Sequence, residues 1–173
     1  DAGLQDAPRE KVQYRHVPGS GKLKLVRAKI WTPNSGRVSL EAVEQEITLC
    51  EETYGLAQLS ADPYQAEYIL QRMQSRGIPT DWCNFTSSNL QAMATATLDA
   101  FREREVEIFN QSVLIDDLKR LRIQEKAYGF RLQMANTESG HGDVATALAI
   151  ALRAARGFTG QLQECQQRQL VFN

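Results

Sequence analysis

The sequence lacks the features that mark membrane and secreted proteins. No uninterrupted apolar run reaches the roughly 18 residues of a membrane span, and no signal peptide opens the chain. The three cysteines, Cys50, Cys83 and Cys165, are odd in number and far apart, so neither a disulfide framework nor a metal site of paired cysteines is indicated. We therefore expect a soluble domain in a reduced, intracellular setting, with no membrane partner.

A strong charge of one sign is also missing. The formal net charge of the 173 residues is −1, so no basic excess predicts nucleic-acid binding. Local basic clusters do occur, and two interpretations of them stay open. They are solvated helix faces paired with nearby acids such as Asp116, Asp117 and Glu125, or they are phosphate contacts. The clusters are Arg102/Arg104, Lys119/Arg120/Arg122/Lys126 and Arg153/Arg156.

A nucleotide-binding loop is absent as well. The segment from Pro18 to Leu23 imitates a phosphate-binding loop, but His16 and Leu23 stand where that motif needs glycine and serine or threonine. The segment is therefore predicted to be a hairpin turn.

Apolar periodicity and turn residues predict alternating strands and helices. A hairpin of Lys11–Val17 and Leu23–Trp31 comes first. The predicted helices are Leu40–Tyr54, Pro63–Arg76, Asn89–Arg102, Ser112–Glu125 and Asp143–Arg156. The predicted strands between them are Leu56–Ala61, Thr80–Phe85, Val106–Phe109 and Tyr128–Met134.

This order predicts an α/β fold, a mixed sheet flanked by helices and similar to ribonuclease H. We expect its first strand to be missing from the sequence, because a functional Asp1 would need a preceding strand to hold it, and we expect the chain to be a fragment. We expect one domain over residues 1–156. From Gly157 the sequence becomes rich in glutamine, which predicts a weakly ordered tail over residues 157–173.

Three aspartates lie at the edges of apolar elements. Asp62 follows a strand directly, at the position where active sites of such sheets lie, although Asp before Pro63 is also a usual helix start. Asp143 precedes a helix of nearly continuous apolar residues. Its carboxylate either interacts favourably with the helix dipole or faces a cleft. Asp1 is the third, with Asp6 as a competitor. Three converging carboxylates are what a two-metal phosphodiesterase needs.

The order and spacing of several motifs add a family resemblance. The chain resembles the nuclease domain of the large terminase subunit of tailed bacteriophages or prophages, over residues 1 to about 156. The motifs are Asp1-Ala2-Gly3, Ile30-Trp31-Thr32-Pro33, Asp62-Pro63-Tyr64-Gln65, Asn84-Phe85-Thr86-Ser87-Ser88-Asn89-Leu90 and His141-Gly142-Asp143.

The resemblance implies a ribonuclease H-like, metal-dependent endonuclease that cuts concatemeric double-stranded DNA during genome packaging. It makes Asp1, Asp62 and Asp143 the ligands of two Mg²⁺ or Mn²⁺ ions. His141 would be a catalytic neighbour that orients Asp143 or handles a proton, and Glu138 a further carboxylate. The full-length protein would work in the bacterial host cytoplasm with the portal and the small terminase subunit.

Two departures from the family pattern keep alternatives open. Pro8–Lys11 is polar where the family continues with an apolar strand. We also expect this chain to lack the ATPase motor domain that precedes the nuclease region in the family. A degenerate or truncated nuclease-like module that docks DNA or a packaging partner without catalysis is therefore the alternative function. Another nuclease of similar fold, such as a junction resolvase, is a third.

Overall fold

The structure is a computed structural model in which residues 22–31, 38–126, 129–133 and 142–171 are described. Helices and short strands alternate along these residues. In chain order the elements are β1 (Leu23–Lys24), α1 (Leu40–Tyr54), β2 (Leu59–Ala61), α2 (Pro63–Ser75), β3 (Thr80–Trp82), α3 (Ser87–Arg102), β4 (Val106–Glu107), α4 (Ser112–Arg120), β5 (Arg122–Lys126), β6 (Gly129–Gln133) and α5 (Asp143–Val171). No helix within these ranges is both long enough and apolar enough to cross a membrane.

The strands pair in both directions, as a mixed α/β fold requires. Strand β1 lies parallel to β4, and β2 lies parallel to β3, with Leu59 opposite Thr80. Strand β5 is antiparallel to β6, with Ile123 opposite Leu132. In the described part of the chain these are three separate two-stranded pairs rather than the continuous sheet that the sequence predicts.

Helix α1 has the bounds that its local signals predict. The Ser39 hydroxyl accepts a hydrogen bond from the backbone N–H of Ala42 at 3.3 Å, which satisfies a donor that the first turn leaves free. At the other end Gly55 adopts a φ of 62°, a conformation that costs glycine little. Its N–H donates a hydrogen bond to the Glu51 carbonyl. The predicted bounds Leu40–Tyr54 are confirmed.

The predicted helix Ser112–Glu125 is wrong beyond Arg120. Helix α4 ends at Arg120, and the following residues form β5, whose partner is β6. Leu121 and Ile123 pack against the cluster that holds the buried Leu132. A short apolar run suits a helix or a strand equally well, and here the partner strand decides.

The predicted strand Leu23–Trp31 is also too long. Only Leu23–Lys24 is a strand, and it pairs with β4. The other half of the predicted hairpin, Lys11–Val17, lies outside the described residues.

Helix α5 is longer than predicted. It continues to Val171, so the predicted end at Arg156 is wrong. An interior glycine such as Gly157 or Gly160 costs a helix only about 1 kcal/mol relative to alanine, and the neighbouring Gln, Leu, Glu and Arg residues favour helix. The division into a domain over 1–156 and a tail over 157–173 stays a prediction.

Three buried clusters lie within the described residues, and helix α5 joins two of them. The first cluster consists of Leu25, Ala100, Leu114, Leu148 and Leu152. The second consists of Cys83, Met93, Ala94, Leu132, Ala149 and Ile150. The third, Ile69, Met73 and Ile78, packs against α1 and β2. Most of the apolar residues that follow Asp143 in the sequence are thus buried in the first turns of this helix.

An ion pair holds the segment after β1 against α1. The Arg27 guanidinium contacts the Glu46 carboxylate, and the two side chains are 7% and 15% exposed. Both charges have lost most of their water, so each is stabilised by the other. Removing one side chain would leave the remaining charge uncompensated.

The turn after α3 contains a non-glycine residue with a positive φ. Arg104 adopts a φ of 56°, and the N–H of Glu105 returns to the Ala100 carbonyl at 2.9 Å, as in a helix end that glycine favours. We expect Arg104→Gly to raise the free energy of unfolding by about 0.5–1 kcal/mol, since glycine lacks the Cβ that is strained there. Urea unfolding followed by circular dichroism measures this.

Arg102→Gly is the matched control for that substitution. Arg102 is the last residue of α3, so the same change should lower the free energy of unfolding by up to about 1 kcal/mol. A loss of stability in both variants would contradict the strain at Arg104.

Candidate active site

Asp62 stands at the junction of β2 and α2. Its Oδ1 accepts a hydrogen bond from the N–H of Tyr64 at 3.3 Å, and Pro63 occupies the first helical position. The helix cap predicted from the sequence is therefore confirmed. Because a carboxylate has two acceptor oxygens, the cap orients Asp62 without using up its capacity to bind a cation.

The carboxyl ends of β2 and β3 form one edge. The N–H of Cys83 donates to the Ala61 carbonyl at 2.9 Å, which holds the two strand ends side by side. An open groove of about 660 Å³ lies at this edge. It is lined by Asp62, Pro63, Tyr64, Glu67, Trp82, Asn84 and Phe85.

The groove holds a carboxylate that sequence reasoning missed. Glu67 lines it together with Asp62, from the second turn of α2. The sequence does contain a signal for Glu67, namely its short distance in sequence from Asp62. Residues near the start of a helix lie at the same edge of the strand pair as the residue that caps the helix. Carboxylate oxygens are the ligands that Mg²⁺ and Mn²⁺ prefer, so the donor chemistry of this edge fits such an ion.

Asp143 is the first residue of α5, and its side chain is exposed. The helix behind it is buried at Ala145, Leu148 and Ala149. Gly142, which precedes it, is buried with a φ of 69°, and its carbonyl accepts from the N–H of Thr146 at 3.0 Å. The buried part of the helix thus holds a carboxylate at the protein surface.

A second carboxylate reaches the same helix end from α4. Asp117 Oδ2 accepts a hydrogen bond from the N–H of Val144 at 3.2 Å, across 27 residues of sequence. The sequence placed Asp117 among the acidic partners of basic residues on a solvated face. Its neighbour Asp116 does have that role, with Lys119 Nζ 4.0 Å from its Oδ1.

The metal triad predicted from the resemblance cannot be assembled from the described residues alone. Asp1, with its competitor Asp6, and His141 and Glu138 lie outside them. Within the ranges that the structure covers, no group of three or more His, Cys, Asp or Glu side chains is placed to hold a metal ion. Asp62 and Asp143 stay predicted ligands, at the junctions where the sequence put them.

Two arginines of α5 are paired with carboxylates. Arg153 contacts Asp81 of β3. Arg156 reaches Asp99 at 3.1 Å and Glu105 at 2.9 Å, with Glu103 at 3.4 Å. Burial and the neighbouring Glu103 raise the pKa of Glu105, although Arg156 opposes this. For these two arginines the ion-pair interpretation is the one that the contacts favour.

Cys83 directly follows β3, at the edge that carries Asp62, and its burial predicts low reactivity of the thiol. Its thiol is fully buried and 3.9 Å from the Met93 sulfur. Burial raises the pKa of Cys83, and Asp81 and Asp62 raise it further, while Arg153 lowers it. Since only the thiolate reacts, we expect maleimide labelling of Cys83 to be negligible in the folded protein at pH 7 and rapid in urea.

Peptide mass mapping identifies the labelled cysteine, and Cys83→Ser provides the blank. Equal labelling rates at Cys83 with and without urea would contradict the buried placement of this strand end.

Comparison with known proteins rests on the fold. No family model and no curated protein matches the sequence. The Thermus phage P74-26 large terminase nuclease domain is similar, with a TM-score of 0.52 and 21% identity over 66% of this chain and 60% of that chain. The large terminase nuclease from thermophilic phage G20c has a TM-score of 0.56 and 21% identity over 76% of this chain and 67% of that one.

A further structure, the G20c nuclease with bound magnesium, has a TM-score of 0.53 and 21% identity over 66% of this chain and 61% of that chain. The chain thus spans about 60–67% of the length of these three structures. At this identity the likeness concerns the fold. The structural neighbours of this chain are large terminase nuclease domains from thermophilic phages, as the sequence motifs led us to expect.

Proposed function

We propose that this chain is a metal-dependent endonuclease with a ribonuclease H-like arrangement, which cuts concatemeric double-stranded DNA during phage genome packaging. The observation that carries the proposal is the position of Asp62. It stands at the carboxyl end of a parallel strand pair, in a fold similar to that of terminase nucleases. That edge is where the active sites of α/β folds lie.

The proposed metal ligands are Asp1, Asp62 and Asp143, holding two Mg²⁺ or Mn²⁺ ions. A fold neighbour with bound magnesium supports a divalent ion. Such ions supply an activated water and neutralise the charge that develops on the phosphate. Glu67 lies along the same groove as Asp62 and is a further candidate carboxylate.

The residues of the chain have to keep the carboxylates oriented. Asp62 is held by the N–H of Tyr64, which donates to its Oδ1. Asp143 begins a helix, and its carboxylate lies at the positive end of the helix dipole. His141 would orient Asp143 or handle a proton in this proposal.

The sites of action follow from the same proposal. Cutting would take place in the bacterial host cytoplasm. Contacts with the portal and the small terminase subunit would belong to the full-length protein.

A non-catalytic docking module is the second candidate. It is favoured by the polar segment Pro8–Lys11, which stands where the family continues with an apolar strand. If Asp1 does not reach Asp62 and Asp143, too few carboxylates converge to hold two ions, and the groove would serve only for binding.

The proposed site predicts a loss of DNA cutting. Asp62→Asn and Asp143→Asn should each lower the rate of Mg²⁺- or Mn²⁺-dependent nicking of supercoiled plasmid by more than about a hundredfold, because each removes a ligand charge near the reacting phosphate. Agarose gels that resolve supercoiled, nicked and linear plasmid measure the rate.

Glu52→Gln is the matched control, since it neutralises an exposed carboxylate near the end of α1. It should cut at the rate of the unchanged chain, and circular dichroism should show all three variants folded. Full activity in both aspartate variants would rule out the proposed site.

Metal binding separates the endonuclease from the docking module. Calorimetric titration with Mn²⁺ should show saturable binding to the unchanged chain, and Asp62→Asn should weaken the affinity by at least about tenfold, since even the loss of a group that supports a metal ligand costs about 10–100-fold. A titration without saturable heat, or one that Asp62→Asn leaves unaltered, would favour the docking module.

A further inference from the structure

Asp117 lies where an apolar side chain would be expected. In α4 it falls on the same face as Leu114 and Leu118, and Leu114 is only 1% exposed. These leucines pack in the cluster that contains Leu148 and contacts Val144 of α5. A carboxylate on a stripe that faces another helix has lost part of its water. A hydrogen-bond partner in the protein has to compensate for that loss.

The start of α5 supplies that partner. The first N–H groups of a helix have no acceptor within the helix, and a side chain at the N-cap usually accepts one of them. Here Gly142 precedes the helix and has no side chain. Asp117 provides the missing acceptor from α4, with Oδ2 3.2 Å from the Val144 nitrogen. Its negative charge is also favourable at the positive end of the helix dipole.

We propose that Asp117 is a positioning residue for Asp143. Val144 follows Asp143 directly, so the bond that anchors the Val144 N–H also orders the backbone that carries the Asp143 carboxylate. This inference rests on the proposed function, in which Asp143 is a metal ligand. It adds that the ligand is held in place by α4, an element that contains none of the three predicted ligands.

The proposal differs from a direct role in metal binding. A positioning residue needs only an acceptor oxygen, which asparagine retains, whereas a metal ligand needs the charge. Asp117→Asn should therefore resemble the unchanged chain, and Asp117→Ala should not. Asp116→Ala is the control, because its side chain is exposed at the neighbouring position, with Lys119 Nζ 4.0 Å from its Oδ1.

The nicking assay tests this as a function of Mg²⁺ concentration. In Asp117→Ala the first turn of α5 frays, so the turn is ordered in only a fraction of the molecules. Because Mg²⁺ binds the ordered state, its apparent affinity falls. We expect the Mg²⁺ concentration for half-maximal nicking to rise about tenfold, the effect of losing a helix cap, while the rate at saturating Mg²⁺ changes less than about threefold. Asp117→Asn and Asp116→Ala should stay within about threefold of the unchanged chain in both quantities.

Two outcomes would overturn the proposal. If Asp117→Asn loses nicking as completely as Asp143→Asn at every Mg²⁺ concentration, Asp117 is itself a ligand. If Asp117→Ala leaves the half-maximal concentration unchanged, the bond to Val144 has no part in holding Asp143.

Hydrogen exchange provides a readout that does not depend on cutting. In Asp117→Ala the amides of the first turn of α5 should exchange about tenfold faster, with Asp117→Asn and Asp116→Ala protected as in the unchanged chain. If the unchanged chain never nicks DNA, the proposed function fails, and exchange still decides the positioning role. Equal protection in Asp117→Ala would refute that role by itself.

Discussion

The burial of α5 is the interaction on which the rest of the structure depends. Leu148 and Leu152 belong to the cluster with Leu114, whereas Ala149 and Ile150 belong to the cluster with Cys83. Burying a leucine or isoleucine side chain contributes about 1.5–3 kcal/mol each, so a few turns of one helix hold several strand pairs and helices together. The three two-stranded pairs need such a common support, because a pair of short strands is marginal by itself.

Charge pairs set the orientation of this helix at its exposed side. Arg153 contacts Asp81, and Arg156 lies among Asp99, Glu103 and Glu105. Three carboxylates around one guanidinium leave a local negative excess, and burial together with the neighbouring Glu103 raises the pKa of Glu105. The same excess disfavours the approach of anions to this side of α5.

The two described aspartates of the proposed site are held in different ways. Asp62 is placed by its own neighbours, since it caps the helix that follows it. Asp143 starts a helix whose cap comes from α4 through Asp117. A change in how α4 packs on α5 would therefore affect Asp143 and leave Asp62 in place.

Local signals in the sequence determined the bounds of α1, the cap at Asp62 and the burial of α5, because each depends on residues within a few positions of one another. The end of α4, the pairing of β5 with β6 and the bond from Val144 to Asp117 were decided only by the tertiary structure. In those cases the partner lies on another element, and no spacing within one segment encodes it. The sequence could therefore name Asp62 and Asp143, whereas the groove beside Asp62 and the support behind Asp143 exist only once distant elements have packed.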